Sequence, residues 1–102
     1  MSQHYFRPVP NTVILMGWDR PLQGYFCVIE RGDELLYSNL EDPILDENGG
    51  MSSILDYLLE RIVERKLCVP QEMIDEIRAD AAHNIGDRSS RWNEQGLEVC
   101  DA

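Results

Sequence analysis

Thr12-Val13-Ile14-Leu15-Met16, Tyr25-Phe26-Cys27-Val28-Ile29 and Leu35-Leu36-Tyr37-Ser38 follow one another within residues 12–38. β-Branched and aromatic residues in short runs suit the pleated, half-buried surface of a strand. Arg31-Gly32-Asp33 separates the second run from the third, and Gly32 takes a positive φ at low cost, so a tight hairpin is expected there. Gly17-Trp18-Asp19-Arg20-Pro21-Leu22-Gln23-Gly24 reads as the loop between the first two runs. Together these predict a three-stranded antiparallel meander. The first two runs are apolar at nearly every position, which predicts partial cover on both faces.

Upstream, residues 1–11 read as an extended lead-in, because Pro8 and Pro10 exclude helix. Downstream, the acidic loop 39–50 ends in the break Asn48-Gly49-Gly50. A first helix is expected after it, with Ser53 as cap and Asp56 three residues on. Leu55, Leu58, Leu59, Ile62 and Val63 form its apolar face, and it should stop near Leu67 or Cys68. Pro70 suits the first turn of a second helix with the stripe Ile74, Ile77, Ala81 and Ile85 and with Gly86 as cap. Residues 1–86 therefore predict one α+β domain: a three- to four-stranded antiparallel sheet with two helices packed on one face. Residues 87–102 read as a C-terminal tail, either a short strand through Leu97 and Val99 or a frayed end.

The chain has 102 residues, one domain's worth, and its 43% hydrophobic and 27% charged content is that of an ordinary globular protein. The charge balance is not ordinary. Nineteen acids stand against nine Lys and Arg, a formal net charge of −10. That argues against direct binding to nucleic acid or to an anionic membrane surface. No apolar run approaches the ~18 residues of a membrane span, and the first residues lack a secretory signal. Cys27, Cys68 and Cys100 are odd in number and far apart, so a reduced, cytoplasmic setting is expected.

The charge is also unevenly placed. Residues 30–80 hold fourteen acids and five bases, and from Gly32 to Glu60 there is no Lys, Arg or His beside eight acids. Asp56, Glu60 and Glu64 sit four apart on the first predicted helix, and Glu72, Glu76 and Asp80 repeat the spacing on the second. Side chains four apart are neighbours, so each set forms a ridge of like charge. Four residues rise ~6 Å along a helix, close to the spacing of phosphates along a strand. Such ridges could stand in for a nucleic-acid backbone in a basic groove. The simpler reading is a solvated face partly neutralised by Arg61, Arg65, Lys66 and Arg78. Trp18 and Arg20 are residue types that anchor interfaces when they lie on a proline-stiffened loop. The plainer alternative folds Trp18 back over the sheet.

Other chemistry finds little support. Arg31-Gly32-Asp33 matches an adhesion tripeptide, but so short a match needs extracellular context. His4, His83 and the cysteines lack zinc-site spacing, and the 41–49 loop lacks the calcium-loop pattern. No nucleophile elbow, phosphate loop or dinucleotide fingerprint is present. No catalytic residue, metal or cofactor is expected.

Gly17-Trp18-Asp19-Arg20-Pro21-Leu22-Gln23, followed by an apolar strand and an acidic turn, resembles segments of small bacterial proteins. In size, acidity and order of strands before helices the chain is similar in kind to phage-encoded inhibitors of the anti-CRISPR and anti-restriction type. The likeness covers no motif and carries over no functional residue. The expected function is a non-enzymatic acidic protein that engages a basic, nucleic-acid-binding protein and blocks it by mimicry. Asp56, Glu60, Glu64, Glu72, Glu76, Asp80, Trp18 and Arg20 form its expected partner-binding set. The alternatives are an immunity or antitoxin protein neutralising one basic toxin, a small ligand-binding domain or enzyme, and an obligate homo-oligomer with no other partner.

Overall fold

The computed structural model describes residues 1–46, 49–93 and 98–99, the last pair by their backbone. The elements are β1 (Ser2–Phe6), β2 (Thr12–Asp19), β3 (Gly24–Arg31), β4 (Glu34–Ser38), α1 (Leu55–Glu64), α2 (Gln71–Ala82), β5 (Arg88–Trp92) and β6 (Glu98–Val99). All six strands join one mixed sheet in the order β4-β3-β2-β1-β5-β6. The β2-β3-β4 meander is present, and Gly32 turns its second hairpin at φ +57°.

Two strands lie where none was expected. The lead-in is β1, antiparallel to β2, with His4 opposite Met16 and Phe6 opposite Ile14. The start of the supposed tail is β5, parallel to β1, with His4 opposite Ser90 and Phe6 opposite Trp92. A strand parallel to its neighbour needs a crossover connection. Here α1 and α2 supply it, packing on β3 and then on β2 and β1 as the chain returns across the sheet. The tail boundary at residue 87 thus falls just before an inner strand. Leu97, Cys100 and the Asn48 part of the loop break lie outside the described residues.

The helices cover one face of the sheet. Phe6, Ile14, Met16, Cys27, Ile29 and Tyr37 meet Leu55, Leu58, Ile62, Met73, Ile74 and Ile77 there. Burial of this set, at roughly 25 cal/mol per Å² of apolar surface, drives the docking.

Helix ends differ from the expectation in instructive ways. Ser52 is tied to Tyr25 by two backbone hydrogen bonds of 2.7 and 3.1 Å, which keeps the chain extended past Ser53. α1 therefore begins at Leu55 without a side-chain cap, and Ser53 is not one. It ends at Glu64 rather than near Leu67, because Lys66 turns left-handed at φ +58° and the Leu67 N–H bonds back to Ile62. α2 closes in the same way through Asn84 at φ +50°, with the Ile85 N–H on the Asp80 carbonyl. Asn84, not Gly86, is its left-handed cap. Its buried stripe is Met73, Ile74, Ile77 and Asp80, and Ile85 lies beyond the helix. No helix among the described residues is long and apolar enough to cross a membrane.

Candidate interaction surface

The two helices carry most of the expected partner-binding residues, and packing sorts them. Asp56, Glu60 and Glu64 point outward from α1, with side-chain exposures of 71%, 71% and 55%. Glu72 is exposed on α2. Arg78 on α2 pairs with Asp56 on α1 at 2.7 Å, so the start of one helix lies beside the later turns of the other. Arg78 lies roughly 200° around the helix from Glu76 and Asp80, so the second ridge does not merge with that of α1. Arg61 neutralises part of the α1 ridge, 2.8 Å from Glu64 and 3.5 Å from Glu60. Val63, two-thirds exposed, and Leu59 sit among these carboxylates in a shallow concavity of about 570 Å³.

Asp80 does not belong to that surface. It is fully buried, and Glu76 is drawn toward the sheet with it. Arg88 of β5 donates to Asp80 Oδ1 at 2.9 Å and to Glu76 Oε2 at 3.0 Å. His4 Nε2 lies 2.6 Å from Asp80 Oδ2, and the Trp92 indole N–H donates to His4 Nδ1 at 3.0 Å. An indole nitrogen only donates, so His4 Nδ1 accepts and the ring proton sits on Nε2, facing Asp80. Trp92, His4, Asp80 and Arg88 thus form a continuous chain that ties β5 and β1 to α2. A buried carboxylate is tolerable only when paired and hydrogen-bonded in this way. The arrangement places an Asp beside a His, as hydrolases do. Here the far ring nitrogen is held by Trp92 and the ring has no exposed surface, so the pair can neither reach a substrate nor accept its proton.

Trp18 is not a loop anchor either. It lies in β2, 8% exposed, edge-on to Tyr25 at 5.2 Å, and its indole N–H donates to Asn84 Oδ1 at 3.2 Å. The strand runs two residues further than the Gly17 boundary suggested, because Trp18 and Asp19 keep their register with Tyr25 and Gly24. Arg20, in the turn after β2, is exposed as expected.

Sequence reasoning missed a second polar cluster. Asp42 Oδ2 accepts the hydroxyls of Tyr57 at 2.7 Å and Tyr37 at 2.8 Å, and Oδ1 accepts the Ile44 N–H at 3.0 Å. Arg61 lies over the Tyr57 ring at 4.6 Å, and Arg65 over the Tyr37 ring at 4.9 Å. Burial alone would raise the Asp42 carboxyl, but the two tyrosines, the Ile44 amide and Arg61 outweigh it and hold it below the ordinary carboxylate range. Tyr37 and Tyr57 shift upward, first through burial and then through Asp42. The cluster joins β4, the loop after it and α1. Nothing in the spacing of Tyr37, Asp42 and Tyr57 announces it, since the three converge from separate elements. The His4 chain did leave a trace, because Ser2, His4 and Phe6 alternate as a strand face does.

Among the described residues no three His, Cys, Asp or Glu side chains converge as a metal site would require. Compared with family models, with curated proteins and with solved structures, the chain finds no match in any of the three.

Proposed function

We propose that this chain is a non-enzymatic binding protein whose acidic surface engages a basic protein, in the first instance one that holds nucleic acid. One observation carries this reading. Glu30, Asp33, Glu34, Glu41, Asp46, Glu72 and Asp75 are exposed and, among the described residues, none forms an ion pair. Their field is not cancelled at short range, whereas Asp56, Glu60, Glu64 and Glu76 are partly matched by Arg78, Arg61 and Arg88. Summed surface charge of one sign steers oppositely charged partners and raises their association rate. The acids that act are thus those of the 33–46 stretch and the start of α2 as much as the ridges.

Tagged protein incubated with a lysate at ~0.1 M and ~0.5 M salt tests the reading, since the screening length shortens across that range. Capture of a basic nucleic-acid-binding protein at the lower salt, displaced by added duplex DNA and lost when Glu41, Glu72 and Asp75 become Lys, is the expected result. Capture unchanged in that variant overturns it.

A second reading, the immunity or antitoxin type, rests on Val63 and Leu59 among the α1 carboxylates. An apolar anchor ringed by charge makes a tighter, less salt-sensitive contact. It predicts a single partner that persists at the higher salt and is lost on Val63→Asp.

A further inference from the structure

The helices cover one face of the sheet; the other carries a pattern of its own. Register places Arg91, Tyr5, Leu15 and Val28 in one row across β5, β1, β2 and β3. The next row runs through Val13 of β2 and Glu30 of β3. On the far side Phe26 lies over Gly17, its ring 3.0 Å from where a β-carbon would stand. Tyr5, Arg7, Val13, Ser89 and Arg91 line one concavity of about 580 Å³. The face is thus apolar at its centre, basic toward β5 and acidic at β3. In a chain of nineteen acids, Glu30 is the one acid these rows contain.

We propose that this open face packs against the same face of a second copy, about a twofold axis that runs along the strands between β1 and β2. The charges select that axis. Rotation about it lays β5 of one copy over β3 of the other, so Arg91 comes within reach of the partner's Glu30. A twofold across the strands would instead stack each strand on its own copy and set Arg91 against the same arginine. Twofold interfaces require a self-complementary patch, and basic–apolar–acidic across the strand order is one. Sheets that pack face to face lie ~10 Å apart, and four strands at ~4.8 Å spacing span roughly 20 Å, the scale of the smaller specific interfaces. The same arrangement turns both acidic helical layers outward, so the net charge of −10 per chain is kept as far apart as the geometry permits.

Sedimentation equilibrium of the full chain tests this at ~0.15 M salt and up to ~100 μM, where a Kd of micromolar order gives mostly dimer. The expected mass is twice 11.8 kDa. Leu15→Lys should return it to one chain with the far-UV spectrum unchanged. Glu30→Arg and Arg91→Glu should each raise the dimer Kd at least tenfold, and the two together should recover most of the loss. The exchanged pair decides the matter even if Leu15→Lys folds poorly. A single-chain mass at ~100 μM overturns the proposal and leaves the face to a different protein. A dimer indifferent to all three substitutions overturns it as well.

Discussion

Ile14 and Leu15 are adjacent in β2, equally apolar, and face opposite sides of one sheet. Ile14 is wholly buried under the helices, while Leu15 is only partly buried, in a row with Tyr5 and Val28. The helix-covered side encloses charge: Asp80 is wholly buried with His4 and is bonded to Arg88, whose side chain is a quarter exposed. The open side bears its charges at the margins, as Arg91 and Glu30. The difference teaches that a strand apolar on both faces does not make the faces equivalent. What distinguishes them is how far the helices withdraw each side from water.

The contrast can be broken most sharply at the carboxylates. Asp80→Ala leaves the wholly buried His4 Nε2 without its acceptor and takes one carboxylate from Arg88, which keeps Glu76, and should cost about 3 kcal/mol in urea unfolding, the upper range for a buried polar group left unsatisfied. Glu30→Ala on the open face should fall within ~0.5 kcal/mol when measured on the monomer. Equal losses would mean that the two faces are not distinguished as described. The apolar neighbours come next. Ile14→Ala should cost about 2–4 kcal/mol through the cavity it leaves, against roughly 1 kcal/mol for Leu15→Ala.

Gly17 lies tight against the β1 backbone, since a β-carbon there would stand 1.8 Å from the Ser2 carbonyl oxygen. Gly17→Ala should therefore force β1 away from β2 and lower stability by about 1–3 kcal/mol, with the loss of the Trp18 N–H bond to Ser2 Oγ visible by amide exchange. A smaller effect is expected at the sheet's β4 end. The Asp42 carboxyl lies below its unfolded value, so its contribution is complete above about pH 4 and is lost as pH falls through the folded value. The urea midpoint of the wild type should decline more steeply below about pH 4 than that of Asp42→Asn.

The thiols sharpen the comparison without touching stability. Burial under the helices pushes the Cys27 thiol up to about 12, against a small opposing effect of Arg65, whereas Cys68 is exposed. In a Cys100→Ser background, iodoacetamide at pH 8 should label one thiol in the folded protein, at Cys68, and a second only after unfolding.

Much of the fold was legible in local pattern. Short β-branched and aromatic runs marked β2, β3 and β4, and Gly32 marked the hairpin, because strand pairing between neighbours and turn chemistry are short-range matters. The helices were legible from their apolar period, although their ends were not. Asn84 takes the left-handed turn expected of Gly86, and Lys66 turns left-handed before the expected stop near Leu67, with closing hydrogen bonds to the Asp80 and Ile62 carbonyls. The candidate surface was half legible. The excess of acid and its concentration in residues 30–80 are properties of composition.

Tertiary structure alone decided the rest. β5 is parallel to β1 across eighty-odd residues of chain, and no local signal in Arg88–Trp92 names a partner so distant. Spacing placed Asp80 with Glu72 and Glu76, yet helix rotation against β1 turned it inward, where His4 and Arg88 make a buried carboxylate stable. Trp18 likewise followed its strand register rather than its loop-like neighbours. The sequence by itself determined which segments pair locally and how much charge the chain carries. Which acids face water, and which side of the sheet the helices leave open, depends on long-range packing.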